Sequence, residues 1–253
     1  PRVEILPFVG RQAELERILQ SSSSQKLILI EGEPGIGKTR LAEDFLQKAG
    51  GLPLSGAARE LERSLPYQPL IEALRSLTAR SDWKALVAFL HDRLPSLWIR
   101  EAAHLLPELG ESETRPLPLA DAEESRLWEG VHRLLEALAE IEPVRLFLDD
   151  LQWADRSTLG LLGYLVRHSE AARLLILTTA REVPPRSPLA ALVGTLTRED
   201  RLERILLERL QERDIVALTR RLSPAYAYPL AEWLGPASEG NPYVLAELVR
   251  YAR

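Results

Sequence analysis

Residues 32–39, Gly-Glu-Pro-Gly-Ile-Gly-Lys-Thr, set glycines, a lysine and a hydroxyl at the spacing G-x-x-x-x-G-K-[ST]. Glycine at 32, 35 and 37 permits backbone torsions and close approaches that a side chain blocks. Successive N–H groups then turn inward as an anion cradle, reinforced by the start of the following helix. In such a cradle Lys38 reaches the β- and γ-phosphates as a point charge, and the Thr39 hydroxyl ligates Mg²⁺. Glu33, Pro34 and Ile36 complete the loop. Arg40 follows as a further cation, either at the phosphates or in solvent. The expected ligand is a purine nucleoside triphosphate with Mg²⁺, or its diphosphate.

A second constellation is Leu146-Phe147-Leu148-Asp149-Asp150, an apolar run ending in two acids. Ligands of parallel sheets sit beyond the carboxyl ends of the strands. Asp149 is expected at the metal and its water shell. Asp150 is placed to orient or deprotonate an attacking water, with a turn or helix-capping aspartate as the alternative. The run Leu174-Leu175-Ile176-Leu177-Thr178-Thr179 ends in Ala180-Arg181, where Arg181 either senses the γ-phosphate or simply starts a surface loop. Leu151-Gln152-Trp153-Ala154-Asp155 reads as turn packing and helix capping rather than chemistry.

These groups need a scaffold. The apolar run at 26–30 predicts a strand buried on both faces, the runs at 144–148 and 174–178 two more strands, with 52–58 as a plausible second strand and 202–207 as a short edge strand. Helical spacing covers 11–20, 39–49, 69–79, 83–94 and 122–139. A further helix runs from an N-cap at Asp155 or Ser157 to about His168. Ser21 to Ser24 is a polar break, and Pro95, Pro107, Pro116 and Pro118 punctuate the middle of the chain. From Gln211 onward three short helices fit, with breaks near Ser223-Pro224, at Gly235-Pro236 and at Gly240-Asn241-Pro242. The fold class expected is α/β: a doubly wound parallel sheet of five strands with a helical insertion at about 66–140, followed by a small all-helical lid. The boundary is drawn between a nucleotide-binding domain at 1–208 and the lid at 209–253.

The 253 residues are 45% hydrophobic, enough for a sizeable core, and carry a net charge of -5, which argues against a broad nucleic-acid-binding face. With no cysteine, disulfides, thiolate metal sites and cysteine nucleophiles are excluded. The four histidines are scattered without metal-like spacing. No apolar run reaches the ~18 residues of a membrane span, and the opening Pro-Arg-Val-Glu lacks a signal pattern. A cytoplasmic location is the default expectation. The lack of any methionine suggests a processed chain or a fragment.

The motifs together resemble a known group. Phe8-Val9-Gly10-Arg11-Gln12-Ala13-Glu14-Leu15 resembles the N-terminal motif of AAA-type ATPases of the STAND class. That class includes the module of large LuxR-type transcriptional activators and related signalling ATPases. There the segment forms one wall of the adenine pocket, which implies binding roles for Val9, Gly10 and Arg11. Leu148 to Asp155 is similar to the family's acidic strand end, and Leu177 to Arg181 to its sensor 1 strand. Ser238-Glu239-Gly240-Asn241-Pro242-Tyr243 resembles the G-x-P segment of its helical lid, whose proline, here Pro242, packs on the adenine.

The preference for ATP over other purine nucleotides rests on this resemblance alone. It implies a regulatory switch, closed with ADP, open with ATP, reset by slow hydrolysis and capable of nucleotide-dependent self-assembly. No arginine finger stands out among Arg198, Arg201 and Arg204, a departure from the pattern. Winged-helix, repeat-sensor and effector domains would lie beyond Arg253, as further domains of a full-length chain. An AAA+ motor or replication loader is an alternative that needs a clear arginine finger. A small-molecule kinase is another, disfavoured by the G-N-P segment and the long insertion. Contact with membrane or nucleic acid is not expected of these residues.

Overall fold

The computed structural model describes residues 7–21, 26–110, 121–169 and 173–251. The break at Ser22 to Ser24, the prolines at 116 and 118 and the opening residues lie outside them. Five strands form one parallel sheet: β1 (Leu27–Glu31), β2 (Leu52–Ala57), β3 (Val144–Asp149), β4 (Leu174–Ala180) and β5 (Leu202–Leu206), in the order β2-β3-β4-β1-β5. All four neighbouring pairs run parallel. These are the five strands expected from the apolar runs.

The strands alternate their side chains between two layers, as the period of two demands. Leu27 and Leu29 enter a core shared with α3 (Gln68–Arg75), α4 (Trp83–Arg93), α5 (Ser96–Ala102), α6 (Asp121–Ile141), α7 (Arg156–His168) and α8 (Pro188–Arg198). Ile28 and Ile30 enter a smaller core with α1 (Gln12–Ser21) and α2 (Lys38–Ala49), through Leu15, Ile18, Leu41 and Phe45. Each such fully buried aliphatic side chain contributes about 1.5–3 kcal/mol relative to exposure. β1 and β4 are buried throughout, and apart from Glu31, Thr178 and Thr179 at their carboxyl ends they read in sequence as apolar runs.

The topology fixes where a ligand can sit. From β1 the chain leaves through α2 on one face toward the far edge at β2. From the adjacent β4 it leaves through α8 on the other face toward β5. The crevice between the carboxyl ends of β1 and β4 is therefore the topological switch point. The loop at 32–37 opens on it, and Asp149 approaches from β3, one strand further along.

Two departures from the sequence reading stand out. Helix α8 fills a stretch given no element, although Ser187 caps it by accepting the Ala190 N–H at 3.1 Å and Pro188 occupies its first turn. The break expected at Gly235-Pro236 does not occur. There α10 (Ala227–Ser238) runs through Pro236 and ends at Glu239 and Gly240, both at positive φ. Leu234, buried against α9 (Glu212–Leu222), anchors this stretch, and the Ser238 hydroxyl donates to the Leu234 carbonyl at 2.7 Å, closing the last turn. With α11 (Pro242–Tyr251), these helices surround a third cluster of Leu210, Ile215, Leu218, Leu234 and Leu245. Between β2 and β3 the described residues hold helices only, as expected.

Candidate functional site

The glycine loop joins β1 to α2 as a tight cradle. Gly35 and Gly37 lie at φ 78° and 97°, a region that disfavours any side chain. Gly37 stands at the N-cap of α2, and no side chain caps that helix. A glycine at the cap supplies no side-chain acceptor to the first turn, which suits an anionic ligand. Lys38 is buried, and its ammonium donates to the carbonyls of Gly32 at 3.0 Å and Glu33 at 3.1 Å. Burial pulls the Lys38 ammonium below the ordinary lysine range. The Asp150 and Asp149 carboxylates oppose that pull, and Arg181 adds to it.

Thr39, in the first turn of α2, donates its hydroxyl to Asp149 at 2.9 and 3.1 Å from the two carboxylate oxygens. The Thr179 hydroxyl, from β4, donates to the same carboxylate. Asp149 and Thr39 are all-oxygen donors facing one another, which fits a hard cation such as Mg²⁺. Among the described residues no group of three or more His, Asp or Glu could hold a metal by itself, so phosphates and water would complete the shell. Asp150 takes a left-handed turn at φ 56° and accepts the Gln152 side-chain amide at 2.8 Å. Helix capping falls to Asp155, whose carboxylate accepts the Thr158 N–H at 2.9 Å, rather than to Asp150 or Ser157. The Arg181 guanidinium lies 5.9 Å from the Trp153 ring centre, with Arg63 over the same ring at 4.1 Å.

Beside the loop opens a shallow cleft lined by Phe8, Val9, Arg11, Ile36, Arg40, Leu218, Pro242 and Leu245 among others. Its walls come from the N-terminal motif, the loop and the C-terminal helices, and they are mostly apolar, as a flat heterocycle requires. Val9 and Pro242 are thus placed on it together. Arg40 turns its guanidinium toward the Phe8 ring at 5.7 Å. Arg11 lines the cleft but is spent on the backbone, donating to Glu208 O at 2.7 Å and Ile36 O at 3.3 Å. Gly10 lies off the cleft, where a Cβ would meet Asp214 Cγ at 2.6 Å.

The C-terminal helices grip the loop itself. Asn241 caps α11 by accepting the Tyr243 N–H at 3.0 Å, while its amide donates to Glu33 Oε1 at 3.0 Å and Pro34 O at 3.1 Å. The Tyr243 N–H also donates to Gly35 O at 3.1 Å. Arg209 donates to both Glu33 oxygens at 2.9 and 3.0 Å and to Glu239 at 2.5 Å. Of the three arginines considered for a finger, Arg204 is bidentate to the buried Glu31 at 2.6 and 3.0 Å. Arg201 donates to Val166 O at 2.9 Å, and Arg198 to Thr195 at 3.1 Å.

A family profile described as AAA ATPase domain matches residues 7–177. The chain belongs to that family. No curated protein matches the sequence. Among solved structures, this AAA ATPase domain is similar to a Walker-type ATPase of Pyrococcus abyssi at 20% identity and TM-score 0.60, over 100% of this chain and 70% of that one. It is similar to the ORC1 protein of Aeropyrum pernix, solved in complex with DNA, at 15% identity and TM-score 0.52, over 100% of this chain and 61% of that one. A STAND protein with a tetratricopeptide repeat sensor from Pyrococcus horikoshii matches at 18% identity and TM-score 0.49, over 96% of this chain but only 29% of that one. At these identities the likeness is one of fold. No helix among the described residues is long and apolar enough to cross a membrane.

Two residues that touch the site, Gln152 and Arg209, have no site role in the sequence pattern. Thr179, the polar group at the end of the β4 run, donates to Asp149 and accepts the Asp150 N–H. Gln152 was assigned to turn packing, and Arg209 drew no attention. A polar residue ending an otherwise apolar strand was the signal available for Thr179. Nothing local marks Arg209, whose partner lies 176 positions away.

Proposed function

We propose that this AAA ATPase domain is an ATP-binding, slowly hydrolysing switch of the STAND class. It would be the regulatory module of a signalling or transcription-regulating ATPase that works in the cytoplasm with further domains. Its two bodies are 1–208 and 209–253. The observation that carries this reading is the grip of Asn241, Tyr243 and Arg209 on Glu33, Pro34 and Gly35. The loop that would cradle the phosphates is the same backbone that the lid holds.

The adenine would lie in the cleft between Val9 and Ile36 of one body and Pro242 and Leu245 of the other. Gly32, Gly35, Gly37 and Lys38 would hold the phosphates, and Thr39 with Asp149 would hold Mg²⁺, which neutralises charge on the β- and γ-phosphate oxygens when bound. Asp150 orients the attacking water and Arg181 reports on the γ-phosphate. A ligand that touches both bodies changes their relative orientation when its γ-phosphate changes. ADP would thus keep the lid closed, and ATP would release it and permit self-assembly.

The test compares equilibrium affinities for ADP and a non-hydrolysable ATP analogue in wild type and Arg209→Ala. The wild type should favour ADP, and the substitution should shrink that preference by about 5-fold or more, within the usual range of coupling energies. An unchanged ratio would rule out the lid as the reporter.

A further inference from the structure

Beyond Leu148 and Thr178, the last residues paired in the backbone ladder between β3 and β4, side chains join the two strand ends. The Asp150 N–H donates to Thr179 Oγ1 at 2.9 Å, which fixes the left-handed turn at Asp150 against β4. Two residues on, Gln152 Nε2 donates to Asp150 Oδ1 at 2.8 Å, and Gln152 Oε1 accepts the Arg181 N–H at 2.9 Å. The orientation of this amide is determined by its partners. A backbone N–H can only donate, so the amide oxygen must face Arg181 and the NH₂ must face the carboxylate. Gln152 is itself held in place, its carbonyl accepting Arg63 Nη2 at 3.2 Å while Arg63 stacks on the adjacent Trp153 at 4.1 Å.

We propose that Gln152 is the positioning residue for Asp150: it holds one carboxylate oxygen, leaves the other to face the attacking water, and ties that orientation to the strand end bearing Arg181. The inference rests on the reading of Asp150 as the water-orienting group. With the Asp150 backbone pinned by Thr179, rotation of the side chain among its staggered wells is the freedom that remains. Gln152 removes it. A movement at Arg181 is thereby felt at the carboxylate without passing through the nucleotide. Losing the amide should misplace the water-orienting oxygen, which slows the chemical step and leaves nucleotide binding untouched.

Single-turnover ATP hydrolysis with protein in excess, alongside nucleotide affinity, tests this. The set is wild type, Gln152→Ala, Gln152→Glu, Asp150→Asn and the Gln152→Ala/Asp150→Asn double variant. Gln152→Glu keeps the length of the side chain and the acceptor for Arg181, and replaces the donor with a charge that repels Asp150. Both single changes at Gln152 should slow hydrolysis about 10-fold or more with affinity within about 2-fold of wild type. Adding Gln152→Ala to Asp150→Asn should slow it by less than about 2-fold further, because the two residues act as one unit. Wild-type rates in both Gln152 variants beside a slow Asp150→Asn would overturn the inference and leave Asp150 in its role. Full additivity in the double variant would overturn it too. Wild-type hydrolysis in Asp150→Asn would remove the assignment of Asp150, and this inference with it.

Discussion

Arg209 holds Glu33 of the phosphate loop through a bidentate ion pair, with nitrogen–oxygen distances of 2.9 and 3.0 Å. The two residues lie 176 positions apart in the chain. Arg209 leads into the C-terminal helices, and Glu33 sits between the first two glycines of the cradle. Fork-to-carboxylate geometry fixes direction as well as distance, so a change in loop shape must strain or break the pair.

The guanidinium of Arg209, with help from the Asn241 amide, holds the Glu33 carboxyl below the usual carboxylate range against the opposing effect of desolvation. Its folded value lies under the ordinary 4.5, so its contribution is complete above the unfolded value and is lost as pH falls through the folded one. The latch should therefore be constant between about pH 6 and 8 and weaken only in acid. The pair is solvent-exposed, so salt near 1 M, with a Debye length of about 3 Å, should loosen it at neutral pH. Distance between fluorophores on the two bodies, followed against pH and salt, checks both. A transition centred near neutrality would assign the latch to some other group.

Lys38→Ala should abolish nucleotide binding, because it removes the ammonium held against the loop carbonyls of Gly32 and Glu33. Calorimetric titration should show affinity for ATP reduced about 100-fold or more, as expected for an unpaired phosphate in a semi-buried site. Equal affinity in wild type and variant would move the site elsewhere.

Asp150→Asn keeps the size and the left-handed turn of Asp150 and removes only the charge. Binding should stay within about 2-fold while hydrolysis falls about 100-fold, the range for a lost general base. Phosphate release under single-turnover conditions reads the rate. A parallel loss of affinity would mark Asp150 as a binding group.

Gly35→Ala probes the contact between loop and lid. A Cβ there would meet Tyr243 Cβ at 2.7 Å and Asn241 Oδ1 at 2.9 Å, at a backbone φ of 78°. The substitution should cost about 1–3 kcal/mol from backbone strain and push the lid off the loop. Thermal unfolding should fall by several degrees, and Tyr243 should become more accessible to quencher. A variant as stable as wild type, with Tyr243 unmoved, would contradict the packing of α11 on the loop.

The sheet was legible because strands buried on both faces write themselves as apolar runs, as at residues 27–30 and 174–177. The cradle was legible because its geometry demands glycines at fixed spacing. Pro242 was found only through family resemblance, and it does line the cleft. Helix α8 was missed although Ser187-Pro188 signals its start, and the break at Gly235-Pro236 was placed by propensity where the burial of Leu234 prevails. The bonds of Gln152 to Arg181 and of Arg209 to Glu33 were not legible, because they join residues 29 and 176 positions apart and no local pattern records such pairs.

Amide hydrogen exchange across residues 209–251, with ADP and then with a non-hydrolysable ATP analogue, measures the lid directly. Both states must be saturated, so that occupancy does not differ. A switch of the kind proposed predicts strong protection around Asn241–Leu245 with ADP, falling about 10-fold or more with the ATP analogue. Equal protection in the two states would contradict it, because a lid that grips the loop regardless of the γ-phosphate reports nothing.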